Sequence, residues 1–467
     1  MTHSRRQFLG AAAGLAAHQL NAPFALSMAT IGALAAQNSL AAGSDYRALV
    51  CLYMGGGNDS HNWLIPTDFA GYADYVHARP ALALPQASLL PLSIAPAQRA
   101  SRPFGLAPEL QPLRDLYEQK RLAFVANVGT LKLPTTLADF TAGRNLPAKL
   151  FSHNDQASTW QSFSPEGAHA GWGGLMGDIL MSGNGKPIFT AVSTAGTAVF
   201  LAGNSVVQYQ LGSAGPVGIN GFTRGALSAP GSVANALQQV YASPGSNAYQ
   251  PDYARVVQRS ADSYAVLRDA LATTAVTSIP QLPVTVDSRA TTLDQDPLAR
   301  QLRTVAQLIA ANQTLGMKRQ VFMVQINGFD THANQLRDHA ALGTRVAQST
   351  SYFMSAIQAL GLGSNVTLFS ASDFGRSLVS NGAGTDHGWG SHHFVAGGAV
   401  KGQNIYGAFP ATVLGGANDT GSGRLLPSTS VQEYAAPLGR WMGVSETDLA
   451  LVLPNLTRFA AANLDFL

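Results

Sequence analysis

Four apolar runs, each ending at a turn-forming or acidic residue, constrain the fold of this chain more than any other feature. The runs cover residues 48–54, 122–128, 321–326 and 366–371. They are apolar at consecutive positions, which is typical of strands that are buried on both faces. A parallel sheet with helices on both sides buries such strands. We therefore predict an α/β fold with a mostly parallel central sheet.

The segment between the third and fourth runs predicts a helix. Apolar residues recur there at helical spacing, and a glycine stop signal follows them: Val346, Phe353, Ile357, Leu360 and Gly361. A second helix is predicted before the third run from four residues on one face: Leu302, Val305, Leu308 and Ile309. Strand, helix and strand in this order form a βαβ unit, whose two strands should be parallel.

Three of the predicted strands are followed by an aspartate, namely Asp59, Asp330 and Asp373. In an open parallel sheet, the loops after the strands form the ligand crevice. Two carboxylates about 4 Å apart repel each other by roughly 4 kcal/mol at an effective dielectric near 20. If the three aspartates meet, they therefore need protons or a cation.

Histidines accompany these aspartates, which favours a cation. Five of the 11 histidines fall in a short part of the chain: His332, His339, His387, His392 and His393. Mixed Asp and His ligands suit Zn²⁺, Mn²⁺ or Fe, whereas an all-oxygen site suits Ca²⁺ or Mg²⁺. We predict one or two divalent ions, with ligands drawn from Asp59, Asp330, His332, Asp373, Asp386, His387, His392 and His393. His339, on the predicted helix, is expected to be structural.

Residues 1–42 have the pattern of a targeting segment. Arg5 and Arg6 precede a mildly apolar stretch that contains no acidic residue. This pattern resembles a twin-arginine (Tat) signal, and the protein is expected to leave the cytoplasm through the Tat export machinery for the periplasm or the medium. An uncleaved anchor is the alternative. No membrane span is predicted after signal cleavage.

Composition excludes several classes of protein. With 46% hydrophobic residues the chain can form a large core. Its formal charge of +3 falls by two when Arg5 and Arg6 are removed, and such a small net charge predicts no nucleic-acid partner. A single cysteine, Cys51, rules out an intrachain disulfide and a Cys-rich zinc site. No Gly-x-Ser-x-Gly elbow, P-loop or dinucleotide fingerprint occurs. We treat residues 43–467 as one domain, with a Gly/Ser-rich insertion or cap at about 181–250.

A set of ordered motifs resembles a known family. The motifs are Gly-Gly-Gly-Asn-Asp (55–59), Phe-Asp-Thr-His (329–332), Ser-Asp-Phe-Gly-Arg (372–376), Thr-Asp-His-Gly (385–388) and Val-Ala-Gly-Gly (395–398). They resemble the DUF1501 family of Tat-exported bacterial proteins, which in turn resembles the alkaline phosphatase/sulfatase superfamily. The resemblance implies an alkaline phosphatase-like fold and metal-dependent hydrolysis of esters.

The same resemblance implies roles for individual residues. Asp59 takes the first metal-binding position, Asp330 and His332 form a pair, Asp373 is the next ligand and His387 is the late histidine. Phe374 stands where the superfamily has a second histidine. The second metal site would therefore use Asp386, His392 or His393, or it is absent.

The nucleophile is sought in the loop 150–160, whose Ser-His segment also resembles DUF1501 proteins. Ser152 is the predicted nucleophile, and Thr159 and Ser60 are the alternative nucleophiles. A non-catalytic role for Ser152 is also open, in which its side chain only caps the N-terminus of a helix. Arg376 is expected to bind the anionic group of the substrate. The predicted function is an exported metal-dependent hydrolase of phosphate or sulfate esters. The alternative is a non-catalytic protein that binds a metal or a glycan.

Overall fold

The computed structural model of this chain describes residues 45–93, 102–213, 249–273, 293–459 and 464–467, with a few single positions between 215 and 280. The strands in this part of the chain are β1 Arg47–Gly55, β2 Leu64–Pro66, β3 Leu90–Pro91, β4 Phe104–Leu106, β5 Leu122–Gly129, β6 Ala191–Ser193, β7 Tyr209–Gln210, β8 Arg319–Asn327, β9 Val366–Ser372, β10 Arg376–Ser380, β11 Thr385–His387, β12 Ser391–Gly397, β13 Asn404–Tyr406 and β14 Thr429–Ser430. The α-helices are α1 Phe69–Ala78, α2 Gln111–Glu118, α3 Leu137–Thr141, α4 His153–Ser162, α5 Trp172–Leu180, α6 Gln250–Leu271, α7 Pro297–Ala310, α8 Gln335–Ala359, α9 Val431–Met442 and α10 Glu446–Val452.

One large sheet organises the described chain. Its strand order is β13, β5, β12, β9, β1, β8, β6 and β7, and β14 also pairs with β5. β1 lies between β9 and β8 and is parallel to both. β12 runs antiparallel to its neighbours β5 and β9, whereas the other pairs in this sheet are parallel. The predicted mostly parallel central sheet is therefore confirmed.

The four apolar runs form four strands of this sheet, β1, β5, β8 and β9. In β1, Val50 and Leu52 belong to one hydrophobic core, whereas Cys51 and Tyr53 belong to another on the opposite face. Helices α2, α7 and α8 contribute to the first core, and α4, α5, α9 and α10 contribute to the second. A strand covered on both faces must be apolar at consecutive positions, which explains the runs.

The predicted βαβ unit is present, with α8 between β8 and β9. Gly361, just after the end of α8, has a φ of 72°, a left-handed conformation that glycine adopts without steric cost. The preceding helix, α7, begins at Asp296, whose carboxylate accepts hydrogen bonds from the backbone N–H groups of Leu298 and Ala299. Because β8 and β9 flank β1 in parallel, the carboxyl ends of all three strands share one edge of the sheet.

The antiparallel direction of β12 delivers a further segment to that edge. The amino end of an antiparallel strand lies beside the carboxyl ends of its parallel neighbours. The chain before β12 forms a two-stranded hairpin of β10 and β11, with Arg376 paired to His387. His387 is thereby held at the crevice edge, whereas His392 and His393 lie inside β12.

The described part of the predicted 181–250 insertion extends the sheet. β6 pairs in parallel with β8, and β7 pairs with β6. Residues 198–201, expected to form a strand or part of a cap, contain a short 3-10 helix, Val199–Leu201. Most of residues 214–248 and the whole targeting segment 1–42 lie outside the described residues. In the part that is described, no helix is both long and apolar enough to cross a membrane.

Candidate metal centre

Three ligand atoms converge at the crevice edge. Asp330 Oδ1 lies 3.0 Å from His332 Nε2 and 3.2 Å from His387 Nε2, and the two nitrogens are 3.1 Å apart. The corners of such a triangle lie about 1.8 Å from its centre, so an ion at the usual distance of about 2.1 Å from each ligand atom fits just above its plane. The sequence-predicted ligands Asp330, His332 and His387 are therefore brought together in an arrangement that fits a divalent metal.

The second ring nitrogen of each histidine also has an acceptor. His387 Nδ1–H donates to the carbonyl oxygen of Phe151 at 2.7 Å, and His332 Nδ1 faces Asp386 Oδ1 at 3.5 Å. A proton on Nδ1 leaves the Nε2 lone pair of a neutral imidazole free, and metal-binding histidines in proteins are usually oriented in this way. Asp386, predicted as a ligand, lies behind His332 instead of beside its Nε2.

A buried arginine holds the central carboxylate. Arg376 Nη1 donates to Asp330 Oδ1 at 2.7 Å, and its side chain is fully buried. Burial alone would raise the pKa of Asp330, but the hydrogen bond and the charge of Arg376 outweigh it and lower that pKa. Burial lowers the pKa of His387, which favours the neutral form that can bind a metal.

A fourth side chain, His153, joins the cluster from α4. His153 Nε2 lies 3.5 Å from the other oxygen of Asp330, and its Nδ1–H donates to Asp373 Oδ2 at 2.7 Å. Asp373 also accepts hydrogen bonds from the Tyr53 hydroxyl at 2.6 Å and from the Gly56 backbone N–H at 3.2 Å. The hydrogen bond to Asp373 is the main cause of the raised pKa of His153. Asp373, predicted as a ligand, supports His153 in this arrangement.

A cleft of about 660 Å³ opens beside the cluster. Its wall includes His153, Asp330 and Asp373 from the site. The rest of its polar lining consists of one carboxylate, three hydroxyl groups and four uncharged amides: Glu166, Tyr53, Ser158, Thr197, Asn154, Gln161, Gln325 and Asn327. Within the described residues, His153, Asp330 and His387 each offer a ligand atom within 4.8 Å of the other two. The cleft therefore reaches the cluster on the side of His153 and Asp330.

Asp59 lies outside this cluster, contrary to the expectation. Gly56 and Gly57 follow β1 with φ values of 114° and 87°, and the chain turns inward after them. Asp59 is fully buried and forms a bidentate ion pair with Arg79, with donor to acceptor distances of 2.9 and 2.6 Å. Burial would raise the pKa of Asp59, but Arg79 outweighs it and lowers that pKa. Asp59 is therefore neutralised by an arginine inside the protein and lies away from the histidines of the cluster.

His392 and His393 are also not at the crevice edge but in the core. His392 Nδ1 accepts the backbone N–H of Asn127, and its ring stacks on Phe409. His393 packs against Trp160 and Tyr434, and burial lowers its pKa to about 3. They are the second and third residues of β12, and both side chains are enclosed by the core. The predicted use of these two residues as ligands of a second ion is therefore not supported.

The predicted nucleophile and anion-binding residue have other partners. Ser152 is the N-cap residue of α4, and its hydroxyl donates to the Asp155 carboxylate at 2.9 Å. The alternatives are also engaged: Thr159 donates to the Asp155 carbonyl oxygen, and the Ser60 hydroxyl accepts the backbone N–H of His392. Arg376 is enclosed behind Asp330, which leaves no exposed face for a substrate anion.

Sequence reasoning missed His153 as a functional residue. It belongs to the Ser-His segment of the loop 150–160, so the resemblance already pointed to this place. The position of His153, next to the N-cap of a helix that packs on the sheet, directs the imidazole toward Asp373.

Comparisons with known proteins give a family and remote structural likenesses. The family model described as "Protein of unknown function (DUF1501)" matches residues 46–448, and no curated protein matches the chain. A PsFucS1 sulfatase from Pseudoalteromonas sp. is 9% identical, with 90% of this chain and 72% of that chain covered and a TM-score of 0.35. Ps i-CgsB, solved in complex with k-i-k-neocarrahexaose, is 11% identical, with 88% and 76% covered and a TM-score of 0.33. A mutant of the alkaline phosphatase PafA is 10% identical, with 71% and 64% covered and a TM-score of 0.26.

Proposed function

Since this chain belongs to the DUF1501 family, which is described as being of unknown function, its activity has to be argued from its own site. We propose that it is an exported metal-dependent hydrolase of phosphate or sulfate esters. The observation that supports this most is the convergence of His332, His387 and Asp330 within 3.2 Å of one another beside an open cleft.

The charges around the cluster support an anionic substrate. Asp330, Asp373 and Asp386 carry three negative charges, and Arg376 and Arg424 lie against two of these carboxylates. Without an ion, the five groups carry one net negative charge. A divalent ion changes this to one net positive charge, which favours a phosphate or sulfate ester over a neutral ligand. When bound, the ion would supply Lewis acidity and stabilise negative charge on the reacting group.

The chain's own residues orient the reacting groups. Asp373 and the Phe151 carbonyl oxygen hold the protons of His153 and His387 on Nδ1, so that both Nε2 atoms face the cluster. Arg376 fixes the carboxylate of Asp330 from behind. The helix α4 begins at His153, and the N–H groups of its first turn favour an anion near that residue.

Metal analysis and hydrolysis assays of an Asp330→Asn variant test the proposal. The protein is purified without chelators, its metal content is measured by mass spectrometry, and 4-nitrophenyl phosphate and sulfate are used as substrates. We expect the wild-type protein to hold a divalent ion and to cleave one of these esters. The variant should lose both properties, whereas Asp252→Asn, an exposed carboxylate on α6, should keep them. Full activity in Asp330→Asn would overturn the proposal.

Export is the second part of the proposal and rests on residues 1–42. We expect replacement of Arg5 and Arg6 by lysine to retain the protein in the cytoplasm, because the twin-arginine route reads this pair. Cell fractionation measures the result. Unchanged export of the double variant would contradict the Tat assignment without affecting the hydrolase assignment.

A second candidate function is non-catalytic binding of a glycan. Two observations favour it. Phe374 occupies the place of a second histidine and packs on the rings of His153 and His387, and the cleft carries several amide side chains that suit hydroxyl groups. An empty metal site together with saturable binding of oligosaccharides would support this function over the enzyme.

A further inference from the structure

We infer that the nucleophile of this hydrolase is the Nε2 atom of His153, which takes the phosphoryl group of a phosphate monoester during the reaction. This inference rests on the proposed function and adds to it a covalent step. It replaces Ser152 as the nucleophile, and it gives the Tyr53–Asp373–His153 chain of hydrogen bonds a catalytic purpose.

The imidazole of His153 is held firmly with one nitrogen free. Its Nδ1–H donates to Asp373 at 2.7 Å, and Asp373 is in turn fixed by the Tyr53 hydroxyl at 2.6 Å. The ring also packs against Phe374 and His387, with ring centres 4.9 and 4.3 Å away. Because the acceptor on Nδ1 keeps the proton there, the lone pair of a neutral imidazole is on Nε2.

His153 approaches Asp330 from a different side than the other two histidines. His332 and His387 approach Oδ1, whereas His153 Nε2 is nearest to Oδ2, at 3.5 Å. His153 also lines the cleft, and the two other histidines do not. An ion held by Asp330 Oδ1, His332 and His387 therefore leaves His153 facing the substrate.

The hydroxyl groups of the described cleft lining are weaker candidates. Tyr53 donates to Asp373, and the Ser158 hydroxyl donates to the Pro165 carbonyl oxygen at 3.0 Å. The Thr197 hydroxyl accepts a hydrogen bond from Gln210 at 2.9 Å. Ser152 is not in the cleft lining, and its hydroxyl donates to Asp155. A neutral imidazole attacks without a base to remove a proton, whereas each of these hydroxyl groups needs one, which favours His153 at a pH above its raised pKa.

The reaction balances as two displacements at phosphorus. In the first, Nε2 attacks phosphorus, a P–N bond forms, the P–O bond to the alcohol breaks, and the leaving oxygen takes a proton from solvent. In the second, water attacks phosphorus, the P–N bond breaks, and the electron pair returns to Nε2. The water loses its proton to solvent and inorganic phosphate leaves. The N–H groups in the first turn of α4, which begins at His153, would favour the negative charge of the phosphoryl group in both steps.

Stereochemistry at phosphorus tests the covalent step directly. The metal-containing full-length mature protein hydrolyses 4-nitrophenyl phosphorothioate made chiral with two oxygen isotopes, in water enriched in the third, so that the inorganic thiophosphate released is itself chiral. Two displacements give net retention of configuration, and this is the expected result. Net inversion means a single attack by water and would overturn the inference.

Variants of His153 separate the nucleophile from a metal ligand. We expect His153→Ala to keep the wild-type metal content, to lose activity by at least about a thousandfold, and to recover part of it with added imidazole. The matched control is His77→Ala, an exposed histidine on α1, which should behave as the wild-type protein. Loss of the metal from His153→Ala would overturn the inference, because His153 would then be a ligand. A wild-type protein with neither metal nor activity would overturn the proposed function itself.

Discussion

Replacing Arg79 by methionine tests whether Asp59 is a structural anion and not a metal ligand. Both side chains are fully buried, and Arg79 donates to both oxygens of Asp59. Methionine keeps an apolar stem of similar length and removes the charge. Among the described residues, the side-chain amide of Gln335 would still donate a hydrogen bond to Asp59. The carboxylate would then be buried with one of these three hydrogen bonds and without the counter-charge of Arg79.

The size of the effect follows from the burial of the pair. Removing one partner of a buried ion pair typically costs about 3–5 kcal/mol. The entropy of unfolding is about 2.1 cal/mol/K per residue, or about 0.9 kcal/mol/K for the roughly 420 residues after the targeting segment. The melting temperature should therefore fall by about 3–6 °C. Combining Arg79→Met with Asp59→Leu removes both charges and should restore most of the loss.

Calorimetry at pH 7 and metal analysis are applied to Arg79→Met, Asp59→Asn, the double variant and the control Arg255→Met, whose side chain is 78% exposed. The ionised form of Asp59 is the one that the pair stabilises. Its pKa is below the ordinary value, so the contribution is present at neutral pH and is lost as the pH falls through the lowered pKa. We expect unchanged metal content in all four proteins. Loss of the ion from Asp59→Asn with an unchanged melting temperature would refute the structural role.

Three further predictions concern the surroundings of the site. Thr385→Val removes the hydroxyl that links Arg376 Nε to Gln335 and so helps to position Arg376 behind Asp330. Metal affinity in a competition titration should weaken by about 10- to 100-fold. Unchanged affinity would contradict this positioning role of Thr385. The pKa of buried His393 is about 3, below the ordinary value of about 6.5, so stability is full above pH 6.5 and falls by about 1.4 kcal/mol per pH unit below it. His393→Gln should reduce that slope in urea titrations without abolishing it, because burial also lowers the pKa values of His61, His339 and His392. An unaltered slope would contradict the assignment. Gly56→Ala should reduce both metal binding and the melting temperature. A Cβ there would collide with the backbone nitrogen of Asp330, and a φ of 114° is strained for any residue with a side chain. Wild-type values of both would show that the loop can move to accept the Cβ.

Most of the central sheet could be predicted because burial leaves a local record in the sequence. Runs such as residues 48–54 are apolar at every position, and the helix 335–359 repeats its apolar residues at helical spacing. The direction of β12 could not be predicted in this way. An apolar strand has the same composition whether it runs parallel or antiparallel to its neighbours, so only its pairing with β9 and β5 decides the direction.

The candidate site was predictable in part. The structure brings Asp330, His332 and His387 together, as expected, and the Phe-Asp-Thr-His and Thr-Asp-His-Gly motifs that carry them were visible in the sequence. Asp59 and Asp373 looked equivalent to Asp330 by the same reasoning. Their partners, Arg79 and His153, come from helices elsewhere in the chain and carry no local signal of the contact.

The sequence by itself determined the class of fold and the edge of the sheet at which polar side chains gather. Both follow from hydrophobic periodicity and from the residues at strand ends, which are local properties. Only the tertiary structure decided which carboxylates gather with histidines at the crevice edge and which are buried against an arginine away from it. That outcome depends on which charged groups are buried together, and a carboxylate removed from water is stabilised by whichever partner the packing brings within hydrogen-bond distance.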